Sequence, residues 1–174
     1  MQHALFIIAP QGFRDEELFE PLKVLQTAGV ETTIASKEAG VCVGKLGGTI
    51  EAQIGINQIN SEDFDALIFI GGPGSHAYFD DPALHLLAQR AIASDKILAA
   101  ICAASVILAK AGILQDKKAT CFPDAQYCKI LASEGATVTK AAVEVDGKII
   151  TADGPAAATA FGEKILELLQ RLAS

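Results

Sequence analysis

Short apolar runs and stretches of helical spacing take turns along the chain. The first run, Leu5–Ala9, reads as a strand covered on both faces. After Pro10-Gln11-Gly12, Asp15, Glu16 and Glu17 crowd the start of a helix, where acids suit the helix dipole. Leu18, Phe19, Leu22 and Leu25 give that helix an apolar face, and Gly29 ends it. Glu31–Ser36, with Thr32, Thr33 and Ile34 as β-formers, predicts the next strand. A strand, a helix and a strand within about thirty residues form a βαβ unit, with parallel pairing and a right-handed crossover. Residues 40–56 differ: short glycine-studded pieces around Val41-Cys42-Val43 and Thr49-Ile50-Glu51 predict a small β-excursion from the main sheet.

Phe64–Ile70 is the clearest buried strand and runs into Gly71-Gly72-Pro73-Gly74. Asp81-Pro82 opens a helix carrying Leu84, Leu87, Ala88 and Ile92. Ala119–Phe122 reads as another strand, stopped by Pro123-Asp124, which caps a helix through Leu131. Thr137–Val145 and Lys148–Thr151 flank Asp146-Gly147, a strong hairpin turn. The last helix follows Gly154-Pro155 to about Leu172, with Phe161, Ile165, Leu168, Leu169 and Leu172 inward. This order predicts one domain over residues 1–174, an α/β three-layer sandwich with a mainly parallel sheet and a small antiparallel insert.

Ile97–Ile101 is an uninterrupted apolar run, Cys102 follows it, and helical spacing resumes through Ala109 to Gly112. A side chain at such a strand-to-helix turn is held against free N–H groups that favour negative charge. Cys102 is therefore expected to be partly thiolate near neutral pH. The tight turn needs small residues two before and two after it, and Ala100 and Ala104 supply them. The alternative is a buried cysteine at an alanine-rich helix start. In parallel sheets ligands bind beyond the carboxyl ends of the strands, where strand order reverses. The loops at 10–17, Gly71–Ser75 and Cys102 meet that description, which favours the reactive reading. The glycine loop is not G-x-G-x-x-G and no Walker lysine follows, so a phosphate cradle is a poor reading. A glycine pair there lets backbone N–H groups approach a ligand closely.

Composition narrows the classes. The 174 residues are 51% hydrophobic, enough for a sizeable core, and a formal charge of −7 argues against a nucleic-acid partner. The start has no basic region and too short an apolar run for export or for spanning a membrane, so a cytoplasmic place with reduced thiols is expected. Cys42, Cys102, Cys121 and Cys128 show no zinc spacing, and no metal or organic cofactor is expected. Cys121 reads as a small buried hydrophobe, His3 and His85 as structural, and Glu16 and Asp15 as ordinary first-turn charges.

Four motifs in this order resemble the ThiJ/PfpI superfamily: Glu17-Leu18-Phe19-Glu20-Pro21, the strand ending Gly71-Gly72, Ala99-Ala100-Ile101-Cys102-Ala103, and Gly154-Pro155. The likeness is nearest to the branch of YajL and the parkinsonism-associated deglycase, and it covers residues 4 to about 172. It implies a flavodoxin-like fold, a homodimer and a cysteine on a strained elbow. By position Cys102 matches the family nucleophile and Glu17 the glutamate whose carboxyl group meets its sulfur. Gly72 and Ala103 match residues whose N–H groups face the sulfur or a developing oxyanion. Read without the resemblance, Glu17 is a solvated first-turn acid. Beside a thiolate its carboxyl would keep its proton, donate to the sulfur, and serve as acid and base. Gly71, Pro73, Phe122 and His76 are candidate pocket lining, although His76 also reads as a surface loop residue.

The chain departs from the family pattern at several positions. Ala103 stands where the protease-like branch has histidine, which disfavours peptide hydrolysis. Phe122 stands where the human deglycase has a histidine near the cysteine. An arginine of the deglycase pocket is missing, with Gly47 near its position, and so is an extra C-terminal helix. The expected activity is cofactor-free attack of Cys102 on reactive carbonyls, glyoxalase- or deglycase-like, in stress defence. The substrate would be a small carbonyl or a modified protein or peptide. The alternative is a redox-sensing or chaperone-type protein switched by oxidation of Cys102.

Overall fold

The structure, a computed structural model, describes residues 1–174. Its elements follow the hydrophobic pattern. Strand β1 (His3–Ile7) leads through the short β2 (Gln11–Phe13) into α1 (Asp15–Thr27), and β3 (Glu31–Ser36) completes the βαβ unit. The excursion is β4 (Gly40–Gly44) and β5 (Thr49–Ala52), followed by β6 (Ile54–Gly55). Then come β7 (Ala66–Phe69), α2 (Pro82–Ala93), β8 (Ile97–Ile101) and α3 (Ser105–Lys110). The chain ends with β9 (Lys118–Ala119), α4 (Ala125–Ser133), β10 (Thr137–Val138), β11 (Val143–Asp146), β12 (Ile149–Ala152) and α5 (Ala158–Leu172).

Seven strands form the main sheet in the order β11-β12-β8-β7-β1-β3-β6. Every neighbouring pair is parallel except the β11–β12 hairpin. Side chains alternate across β1: Phe6 and Ile8 enter a core shared with α1 and α5, while Leu5 and Ile7 enter one shared with α2 and α3. Both faces of the sheet are thus covered, which is why its strands read as continuous apolar runs. Helices α1 and α5 pack closely at Gly162, where a Cβ would stand 2.7 Å from Pro21 Cα. The architecture is the flavodoxin-like sandwich. No helix is long and apolar enough to cross a membrane.

Three expectations need correction. Of the expected strand at 119–122 only Ala119 is paired, as the end of β9, with β10 in a separate two-stranded sheet. The reason is that the outer side of β12 is taken by β11, and the Thr120 N–H donates to Thr151 Oγ1 (2.9 Å) instead of to a ladder. For the same reason Thr137–Val145 is not one strand: its two ends serve different sheets. Leu172 is 47% exposed, because the last turn of α5 runs past the end of its buried stripe of Phe161, Ile165 and Leu169. The insert contains the expected antiparallel pair β4–β5, and β2 adds to it in parallel.

Candidate active site

Strand order reverses at β1: β3 lies on one side of it and β7 on the other. The loops leaving β1 and β7 therefore diverge and open a crevice at their carboxyl ends. The β8 terminus beside β7 brings Cys102 to that crevice. The loops are locked together, with the Arg14 N–H donating to the Gly71 carbonyl at 3.0 Å. Gly72 is required here. Its φ is 100°, and a Cβ would stand 2.4 Å from Arg14 N and 2.6 Å from Gly12 O, both backbone atoms.

Cys102 follows β8 and opens a turn of 3-10 helix, with φ at 63°. A non-glycine side chain in the left-handed region is strained by about 1–3 kcal/mol and persists where its surroundings impose it. Small neighbours make that possible, since Ala100, Ala103 and Ala104 are all buried against it.

Glu17 lies in the first turn of α1 and is 0% exposed, not solvated. A Cβ on Gly71 would stand 2.6 Å from Glu17 Oε2 and 2.8 Å from Cys102 Cβ, so the two side chains meet across this glycine. Both Glu17 oxygens lack a hydrogen-bond partner of ordinary geometry. The only other such buried side-chain atom is Ser105 Oγ, three residues beyond Cys102. Buried polar groups are nearly always partnered, so orphans clustered at one turn mark a place built for chemistry.

Electrostatics corrects one expectation. Burial pushes the Glu17 carboxyl up to about 7. Burial, then the neighbouring Glu17 carboxylate, push the Cys102 thiol above its ordinary value as well. The N–H groups of Ala103 and Gly72 face the sulfur and favour its anion, but they are outweighed. The elbow by itself therefore does not make a standing thiolate near neutral pH. Two anions cannot share this enclosure, so the pair carries at most one negative charge, and the sulfur becomes thiolate when its proton passes to Glu17.

A cavity of about 240 Å³ opens over the pair. Among the sequence-based candidates Cys102, Glu17, Gly72, Ala103, Pro73, Phe122 and His76 line it, while Gly71 lies behind the pair. His76 is exposed, as its surface-loop reading has it, and it also lines the cavity, with its Nε2 in hydrogen-bond contact with the Tyr127 hydroxyl. Arg14, Lys45, Tyr127 and Pro155 also line the cavity, and sequence reasoning missed all four as wall residues. Arg14 and Pro155 lie in segments the sequence singled out, the 10–17 loop and Gly154-Pro155, whereas Lys45 and Tyr127 come from segments with no local signal. The cavity is not without cations. Arg14 is held by Glu16 (Nε–Oε2 2.8 Å, Nη2–Oε1 3.1 Å), whereas Lys45 has no carboxylate partner.

Asp15 is also more than a first-turn charge. Its buried carboxylate accepts the N–H groups of Leu46 (2.8 Å) and Gly48 (2.7 Å), pinning the turn that carries Lys45 against α1. Gly44 and Gly48 make room for it, since a Cβ at either would lie within 2.6 Å of the carboxylate.

Comparison with known proteins places this geometry. The description of the DJ-1/PfpI family matches residues 2–168. An uncharacterized protein of Methanocaldococcus jannaschii is 39% identical over 168 residues, spanning 96% of this chain and 82% of that protein. A deglycase of Pyrococcus horikoshii is 32% identical over 166 residues, spanning 95% of this chain and 98% of that protein. The crystal structure of a ThiJ/PfpI domain protein from Brachyspira murdochii superposes with a TM-score of 0.94 at 31% identity, covering 97% of this chain and 96% of that one. The strained cysteine after β8, the buried glutamate facing it and these matches along the chain agree: it belongs to the DJ-1/PfpI family.

Proposed function

We propose that this protein is a cysteine-dependent enzyme acting on small reactive carbonyls, with methylglyoxal as the test substrate. The observation that carries the reading is the buried, unpartnered Glu17 facing a cysteine held at positive φ. Relatives named deglycase support the same direction. A cavity of about 240 Å³ suits a few-carbon substrate better than a drug-sized one, whose pockets run to about 300–1,000 Å³.

In this reading Glu17 takes the Cys102 proton, and the thiolate adds to the aldehyde carbon to give a hemithioacetal. The oxygen that gains charge is met by the Gly72 and Ala103 N–H groups. Glu17 returns its proton to that oxygen, then takes the carbon-bound hydrogen and delivers it to the neighbouring carbonyl carbon while the hydroxyl proton passes to the neighbouring oxygen, leaving a thioester of a hydroxy acid. Water releases the acid and restores the thiol. The sum is methylglyoxal plus water giving lactate and a proton. Apart from water, no step calls on a group outside the chain.

The test is product identification. Wild-type protein should form lactate in step with methylglyoxal loss. Loss of methylglyoxal into protein adducts with no lactate would leave only scavenging, and would favour the alternative of a redox-sensing or chaperone-type protein.

A further inference from the structure

Two cysteines that the carbonyl chemistry does not use lie side by side. Cys121 Sγ and Cys128 Sγ are 3.7 Å apart, seven positions apart in sequence. They lie in the connection after β9 and in the first turns of α4. Both line a second cavity of about 490 Å³, along with Asp124, Lys140 and Asp153. We propose that Cys121 and Cys128 are a redox-active dithiol that closes to an intramolecular disulfide when the protein meets a hydroperoxide.

Geometry carries the proposal. The sulfurs, already in van der Waals contact at 3.7 Å, have only a short distance to close to the bonded separation of about 2.05 Å. The two thiols are unequal. Cys121 is 4% exposed, whereas Cys128 is only half-buried. Burial, and a hydrogen bond to Cys128, push the Cys121 thiol up to about 12, so Cys121 keeps its proton near neutral pH. Cys128 is therefore the sulfur that meets the oxidant and Cys121 the one that resolves it. The Cys128 thiolate attacks the peroxide O–O bond, becomes a sulfenic acid and releases the alcohol, which takes up a proton. Cys121 sulfur then attacks the Cys128 sulfur, and hydroxide leaves and carries off the Cys121 proton as water. Two thiols and one hydroperoxide give one disulfide, one alcohol and one water.

The position of the bond connects it to the candidate active site. Phe122, next to Cys121, and Tyr127, next to Cys128, are both walls of the Cys102 cavity. The Phe122 N–H also donates to the Cys102 carbonyl at 3.4 Å. A Cys121–Cys128 bond would cross-link the segment that bears both walls.

The experiment is graded tert-butyl hydroperoxide on the wild type and on Cys102→Ser, which silences the elbow. Both sulfurs fall in the peptide between Lys118 and Lys129, and cleavage before Asp124 separates them. The expected result is a loss of two hydrogens from that peptide in both proteins. The two halves should stay joined after Asp124 cleavage until a thiol reductant is added. Cys128→Ser should leave Cys121 reduced over the same range. Oxygen added to either cysteine without a cross-link, a bond between two chains, or both thiols intact when Cys102 is fully oxidised would overturn the proposal. This result is independent of carbonyl turnover, so the two readings fail separately.

Discussion

At the scale of single residues, the proposed chemistry depends on one proton passed between Cys102 and Glu17. With the carboxyl titrating at about 7, the rate on methylglyoxal should rise as pH passes through that value, as Glu17 becomes able to accept the thiol proton. Glu17→Gln should lose that limb and most of the rate. The same shift has a stability consequence of definite sign. Between the ordinary carboxyl value of 4.5 and about 7, the folded chain keeps a proton that the unfolded chain has lost. The Glu17 contribution is therefore whole below 4.5 and falls as pH rises to about 7, by on the order of 3 kcal/mol. Urea midpoints measured against pH should show this slope in the wild type and not in Glu17→Gln; equal slopes would remove the buried carboxyl from the explanation. Oxidation of Cys102 offers a separate check. A protonated Glu17 and the elbow N–H groups can hydrogen-bond an added oxygen, so peptide mapping after peroxide should find Cys102 stopped at the sulfinate. Glu17→Ala should lose this arrest more severely than Glu17→Gln, which retains a donor. If Cys42 gains oxygen, or Cys121 or Cys128 is carried to the sulfinate, before Cys102, the reactive centre lies elsewhere.

At the scale of elements, the site is a meeting of three chain segments, and backbone contact holds them. Gly72→Ala should cost roughly 1–3 kcal/mol or more and abolish turnover, because the new methyl meets backbone atoms that cannot step aside. Thermal melts beside rate measurements would check this, and a stable, active variant would contradict the packing described. The strands and helices around the site were largely legible in the sequence, since their faces bury apolar side chains with a period that the sequence exposes. Cys102 was legible for a related reason: only small residues fit around such a turn, and Ala100, Ala103 and Ala104 surround it. What the pattern missed is what depends on distant contact. Asp15 looks like any first-turn acid until the 44–48 turn folds back onto it. Arg14, Lys45 and Tyr127 reach the cavity from different segments, and no local spacing signals that meeting. The sulfur's raised titration likewise follows from enclosure beside Glu17, which the helix-dipole argument left out.

At the scale of the whole molecule, the family resemblance leads us to propose a homodimer. Val41 (70% exposed) and Val43 (38% exposed) stand together on β4, an apolar face that a second copy would cover. Light scattering should return about twice the 18.2 kDa of one chain, and Val41→Glu should shift the mass toward one chain; a monomeric wild type would refute this. The central claim is that turnover belongs to Cys102 and not to the protein surface at large. The most direct measurement is methylglyoxal consumption by the wild type and Cys102→Ala at equal concentration, with circular dichroism and thermal unfolding recorded on both. The expected result is a fold preserved in the variant and a rate reduced to the uncatalysed background. A folded Cys102→Ala protein that consumes methylglyoxal as fast as the wild type would contradict the claim.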